Sequence, residues 1–151
     1  MNIRNIGFVV GFPRSGTTLL TSKLGEYSDI VSAPETLFYH DVIKSRFDSG
    51  LPISVSKLAA ELDQRVRLSD LQLNIDNVLG SLGQERLDRR SALPVLLHEF
   101  GKKHGANFVI EKSPVHTYFL HEMVEVYSQS RFIALVRDGR DALLSLKRTP
   151  W

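Results

Sequence analysis

Residues Gly11-Phe12-Pro13-Arg14-Ser15-Gly16-Thr17-Thr18 are the part of this chain best suited to chemistry. They follow a short apolar run, Ile6–Val10, and precede a stretch, Thr17–Tyr27, that suits a helix. A glycine-rich turn that enters a helix aims backbone N–H groups and the positive end of the helix dipole at an anion. The glycine spacing is that of a phosphate-binding P-loop, but Thr17 stands where a nucleoside-triphosphate enzyme places its lysine. A cation lies inside the loop instead, at Arg14. Such a loop can hold a phosphate, yet it lacks the usual clamp for a γ-phosphate. No obvious strand-borne Asp for magnesium accompanies it, which argues against γ-phosphoryl transfer.

Two further segments carry convergent polar residues: Glu111-Lys112-Ser113, and Arg137 to Asp141. Arg137 and Ser145 lie eight residues apart, so a strand-end arginine and a serine two helical turns on could reach one ligand. An arginine fork suits a phosphate monoester. The same residues also suit a strand-end arginine paired with Asp138 or Asp141, and a helical serine bonded to its own backbone. Between residues 131 and 151 five basic residues face two acidic ones, a balance that suits an anionic ligand.

These residues need strands and helices to hold them. Ile6–Val10 reads as a buried parallel strand. The helix after it is expected to bury Leu19, Leu20 and Leu24 and to end at Gly25. A brief extended piece, Ile30-Val31, leads to Ala33-Pro34-Glu35-Thr36. Residues 37–105 read as helical and peripheral. Leu58, Leu62 and Val66 form one helical face, and Leu71, Ile75, Val78 and Leu79 form another with Ser69 as its cap. Gln84–Arg90 is charged and expected to face solvent. Leu93, Leu96, Leu97 and Phe100 form a third face, ended by Gly101 or Gly105. Asn107–Ile110 and Arg131–Val136 read as strands, Ser113 and Pro114 as the cap and first turn of a helix, and Ala142–Lys147 as the last helix. Strands alternating with helices imply an α/β fold. In open parallel sheets, ligands sit at the carboxyl ends of the strands, where all three polar segments fall.

The bulk properties bound the answer further. At 151 residues the chain suggests a single domain, 1–151, with a sizeable core. A formal net charge of +2 is too small to argue for nucleic acid. There is no cysteine, which excludes disulfides and thiolate metal sites and suits a reducing cytoplasm. No stretch approaches the ~18 apolar residues of a membrane span. The sequence stops soon after Pro150, directly behind a segment loaded with functional residue types, so it is expected to be an amino-terminal fragment.

In combination these motifs resemble the PAPS-dependent sulfotransferases. GFPRSGTTLL is similar to their 5′-phosphosulfate-binding loop, and RFIALVRDGRDALLS to their 3′-phosphate-binding segment. EKSPVH resembles an EKTPxH-like segment of bacterial members. The arginine in the first loop is closer to the tyrosylprotein and bacterial branch than to the cytosolic small-molecule branch, which typically has lysine there. The resemblance spans positions 7–38 and 108–147; roughly 40–105 matches no motif and would lie on the acceptor side.

The resemblance implies a P-loop-containing nucleoside triphosphate hydrolase-like fold, a three-layer α/β/α arrangement with a mostly parallel central sheet. It implies PAPS as cosubstrate, PAP as product, no metal, and an acceptor hydroxyl on a protein tyrosine, carbohydrate or small molecule. Arg14, Ser15, Gly16, Thr17, Thr18, Arg137 and Ser145 would bind the cosubstrate, with Arg14 also stabilising the transferring group. Glu35, in APET, would be the catalytic base, and Lys112 would support the transferring group. The residues alone also fit Glu35 as an exposed loop carboxylate or a helix-cap acid before Leu37, and Lys112 as a surface partner of Glu111. His116 is a lesser candidate base, and the other histidines carry no assignment. The competing readings are a nucleotide-binding fragment without turnover and a degenerate P-loop kinase or NTPase.

Overall fold

A computed structural model of the chain describes residues 3–43 and 51–148. Its centre is a parallel sheet of four strands: β1 (Ile6–Gly11), β2 (Ile30–Ser32), β5 (Phe108–Lys112) and β6 (Arg131–Leu135), in the spatial order β2-β5-β1-β6. The register places Phe8 beside Glu111 and Val9 beside Lys112, so each pair shares a face of the sheet. The polar residues at the carboxyl ends of β1, β2, β5 and β6 therefore gather along one edge.

On one face lie α6 (Arg89–Lys103) and α7 (Leu120–Val126), the latter preceded by a 3₁₀ turn at Pro114–Phe119. Phe8 points to this side and stacks on Tyr127 and Phe132 at ring-centroid distances of 5.3 and 5.2 Å. On the other face lies α1 (Thr17–Leu24), reached by Lys112. Helices on both faces of a parallel sheet make the three-layer α/β/α arrangement expected from the sequence. The helix expected after Ser113 needs adjustment: its first six residues are 3₁₀, with Pro114 in the first turn.

Residues 51–105 contribute α3 (Val55–Asp63), α4 (Val66–Ser69), α5 (Ile75–Gly80), α6 and a small antiparallel ladder of β3 (Ile53–Ser54) with β4 (Arg86–Leu87). They are helical, as expected, but not peripheral. Leu58, Leu62, Leu79, Leu93, Leu96 and Leu97 are fully buried and join the same core as Phe8. The short helix α2 (Phe38–Asp41) adds Phe38 and Tyr39, and the Tyr39 ring meets His116, Phe119 and Tyr127.

Several local expectations are corrected. Val66 does not continue the Leu58–Leu62 face, because α3 ends at Asp63 and Val66 starts α4 with its side chain exposed. Ser69 is the last residue of α4, and its hydroxyl donates back to the Val66 carbonyl. The cap of α5 is Asn74, whose side chain accepts from the Asn77 amide at 2.9 Å. Within Gln84–Arg90, Leu87 is buried and Asp88 caps α6 through the Arg90 amide. In α1 the buried residues are Thr17 and Thr21 rather than the leucines, and Leu19 is exposed. Helix α1 packs against β1, β2 and β5, yet Leu20 and Leu24 are only half-buried.

Candidate functional site

The loop after β1 is shaped by backbone that few side chains tolerate. Gly16 has φ +97° and caps α1 without a side-chain bond; Arg14 has φ +72°. For a non-glycine residue that left-handed conformation costs about 1 kcal/mol or more and must be held by its surroundings. Arg137 does part of the holding: its guanidinium donates to the Arg14 carbonyl at 3.1 Å. Gly11 makes the approach possible, because a Cβ there would lie 2.7 Å from the Leu135 carbonyl of β6.

The first helical bond of α1 runs from the Leu20 amide to the Gly16 carbonyl at 3.0 Å. The amides of Gly16 to Leu19 precede it, and helix N-terminal amides of this kind have no intrahelical acceptor. They border a cleft of about 250 Å³ lined by Arg14, Gly16, Thr17, Thr18, Leu19, Arg137 and Ser145. No carboxylate is in that lining, and two guanidinium groups are. Arg14 donates to the Ser145 hydroxyl at 3.0 Å, closing the cleft between the first loop and α8 (Gly139–Lys147). Asp138 is occupied elsewhere: it caps α8 and pairs with Arg140. The reading of Arg137 as a partner of Asp138 thus has no support in the geometry.

Six of the seven residues expected to bind the cosubstrate line this cleft. Ser15 does not; it is nearly buried, and its amide donates to the Phe12 carbonyl.

A second cluster adjoins the first. The Lys112 ammonium donates to the Thr18 hydroxyl at 3.1 Å and forms a close ion pair with Glu35. Lys112 is thereby not a surface partner of Glu111, because successive residues of β5 point to opposite faces. The Glu35 side chain stays about one-third exposed while that of Lys112 is about one-tenth exposed, so the carboxylate is the accessible member. Arg14 is bonded to Ser145, and Thr18 is the residue common to both clusters, lining the cleft and accepting from Lys112.

Glu111 has no role of its own in the sequence reading. It is buried, and its carboxylate accepts from the Thr36 amide (3.2 Å), the Thr36 hydroxyl (2.8 Å), the Ser113 hydroxyl (2.5 Å) and Nδ1 of His116 (3.1 Å). Burial pushes its pKa up, but the adjoining His116 imidazole and these hydrogen bonds outweigh that and hold it below the usual carboxylate range. Nε2 of His116 accepts from the Tyr39 amide at 3.2 Å, so both ring nitrogens are engaged and the ring is buried. His116 is therefore structural rather than a base. Alternation along β5 together with the Ser113 that follows was the signal for Glu111, and it was masked by the more conspicuous Lys112.

Among the described residues, no group of three or more His, Asp or Glu side chains could hold a metal ion, and no helix is long and apolar enough to cross a membrane.

Comparison with known proteins finds relatives of this chain. A family model described as "Sulfotransferase family" matches residues 8–150. Protein-tyrosine sulfotransferase 1 of Danio rerio is 28% identical over 141 residues, covering 92% of this chain and 34% of that protein. The human protein of the same name is 28% identical over 141 residues, covering 92% and 33%. The chain thus spans about a third of the length of the curated relatives it matches. A solved sulfotransferase domain from the curacin biosynthetic pathway superimposes with a TM-score of 0.48 at 21% identity, over 89% of this chain and 47% of that one. With a family match running through nearly its whole length, the chain belongs to the sulfotransferase family.

Proposed function

We propose that this chain takes part in moving a sulfuryl group from PAPS to an acceptor hydroxyl, with PAP as the product. The observation that carries the reading is the carboxylate-free cleft of Arg14, Thr17, Thr18, Arg137 and Ser145 at the N-terminus of α1. Its donors suit an anion bearing two separated phosphate groups, and nothing in the lining repels one. The α1 amides with Thr17 and Thr18 would take the 5′-phosphosulfate, and Arg137 with Ser145 the 3′-phosphate.

In the proposed transfer, the acceptor oxygen forms a bond to sulfur as the bridging S–O bond breaks, in line, and PAP departs with the bridging oxygen. The acceptor proton passes to the Glu35 carboxylate. Lys112 sits between Glu35 and Thr18 and would neutralise charge on the sulfuryl oxygens. Arg14 would stabilise charge on the bridging oxygen, which requires its guanidinium to leave Ser145. These cations and the helix N-terminus supply the positive charge, and the proposal includes no metal. Residues 1–151 would form one sulfotransferase unit, with about 40–105 towards the acceptor, in a reducing, cytoplasmic setting that the cysteine-free sequence supports.

The acceptor belongs to the proposal too. Relatives named protein-tyrosine sulfotransferases suggest a tyrosine-containing peptide as the first to try. The test is PAP formation from PAPS and such a peptide, a carbohydrate and a phenol in turn, with calorimetric titration of PAP alongside. Binding of PAP together with acceptor-dependent PAP formation that Glu35→Gln abolishes is expected. A folded chain that binds no PAP overturns the proposal.

A further inference from the structure

We infer that Glu111 is a positioning residue that fixes the Glu35 loop against the end of β5, and so sets where the Glu35 carboxylate stands. The inference rests on the proposed role of Glu35 as base. Three amides just beyond Glu35 are each tied to the segment Glu111–His116. Thr36 N–H donates to Glu111, Leu37 N–H to the Ser113 hydroxyl at 3.0 Å, and Tyr39 N–H to His116. The Thr36 hydroxyl adds a second bond to Glu111 and also accepts from the Phe38 amide at 3.3 Å. Leu37 has φ +49°, a conformation the loop keeps only because it is held on both sides. Thr36, Ser113 and His116 are all buried, so these bonds are sheltered from water, that of Leu37 in part.

The network has one proton arrangement. Tyr39 N–H requires a bare Nε2 on His116, which puts the ring proton on Nδ1, and that proton needs an acceptor. Glu111 supplies it with one oxygen while the other takes three donors. Gln in place of Glu111 keeps the shape but faces the Nδ1 proton with an amide N–H₂ or, if flipped, presents that group to the Thr36 and Ser113 donors. Either way a donor meets a donor. Since Glu111 and Lys112 are consecutive, one short stretch of β5 fixes the loop from one face of the sheet and holds the Glu35 carboxylate from the other.

The experiment compares Glu111→Gln, Thr36→Val and Thr36→Ser in the full chain. PAP formation, PAP affinity and residue-resolved amide hydrogen exchange are measured. Misplacing a reacting group costs on the order of tenfold to a hundredfold, so Glu111→Gln and Thr36→Val should lower kcat by about that much. PAP affinity should stay within about twofold, because the cleft donors are untouched. Thr36→Ser, which keeps the hydroxyl, should restore most of kcat. Exchange should speed up at Thr36 and Leu37 while β1 stays protected. Unchanged kcat in folded Glu111→Gln overturns the inference, as does PAP affinity that falls in step with kcat. If Glu111→Gln does not fold, Thr36→Val against Thr36→Ser decides in the same way. If the unsubstituted chain binds PAP but shows no turnover, the reading of Glu35 as base fails, and exchange then decides the positioning: local loss of protection supports it and unchanged or uniformly raised exchange overturns it.

Discussion

Arg14 donates to Ser145 at 3.0 Å, joining the loop behind β1 to the helix behind β6 across 131 residues of sequence. Arg137 strengthens the junction by donating to the Arg14 carbonyl. Two strand-end segments that looked like separate phosphate sites are thus one continuous surface. The side chain of Arg14 is bonded to Ser145, while Lys112 pairs with Glu35. A role for Arg14 in transfer therefore needs a change of side-chain direction, whereas a role in binding needs none. Arg14→Ala separates the two. If the guanidinium stabilises charge only as the sulfuryl group moves, kcat falls by about 10²–10³ while PAP affinity changes little. That is the expected outcome, read from steady-state kinetics against calorimetry, and parallel losses would reduce Arg14 to a binding residue.

Arg137 is exposed, and its observed bond goes to backbone rather than to a carboxylate, so the rest of its fork is open to an anion. A charge-assisted bond to a phosphate is worth about 1.5–3 kcal/mol, or roughly tenfold to a hundredfold in affinity. Arg137→Ala should weaken PAP by that factor. Binding of adenosine 5′-phosphosulfate, which lacks the 3′-phosphate, should change far less. Equal losses for the two ligands in calorimetry would show that Arg137 does not read the 3′-phosphate.

Glu111 also makes stability depend on pH. Burial pushes its carboxyl up, but His116, Ser113 and Thr36 bring it below the usual range in the folded chain. The stabilisation is therefore complete above the unfolded carboxyl value, about 4.3, and is lost as pH falls through the lower folded value. Urea midpoints measured from pH 7 down to pH 3 should drop in the acid part of that range. Glu111→Gln should be less stable at pH 7 and show a shallower acid loss. An equal acid slope in both chains would place the effect on other carboxylates.

The sequence reading and the structure part company for physical reasons that particular residues make plain. The first loop was legible from spacing because a glycine turn into a helix is a local feature, whereas the eight-residue offset of Arg137 and Ser145 left their pairing with Asp138 or the backbone open until the cleft brought them together. Leu58 and Leu62 were legible as one buried face, but Val66 was not excluded, since periodicity does not register the end of α3 at Asp63. Asn74 rather than Ser69 caps α5, and both types cap well, so propensity did not discriminate. The burial of residues 51–105 depends on α6 packing against β5, a contact between segments that no single-chain pattern encodes. The pairing of Lys112 with Glu35 instead of Glu111 follows from strand alternation, which was available, and from the path of the 33–37 loop, which was not.

Pro94 lies inside α6, where it has no N–H to offer the carbonyl of Arg90 one turn earlier. Tyr127, at the end of α7, donates its hydroxyl to that carbonyl at 2.7 Å. A side chain from another helix thus replaces the missing backbone donor and fastens α7 to α6 beneath the sheet. Removing the hydroxyl leaves a part-buried acceptor without this partner, at a cost of about 1 kcal/mol. Tyr127→Phe should lower stability by that amount in urea denaturation, with the ring stack on Phe8 retained. The substitution should cost less in a Pro94→Ala background, because an alanine at that position can supply the helical N–H to the Arg90 carbonyl. A coupling of about 1 kcal/mol in the double-mutant cycle is expected. Additive effects would mean that the hydroxyl and the proline act independently.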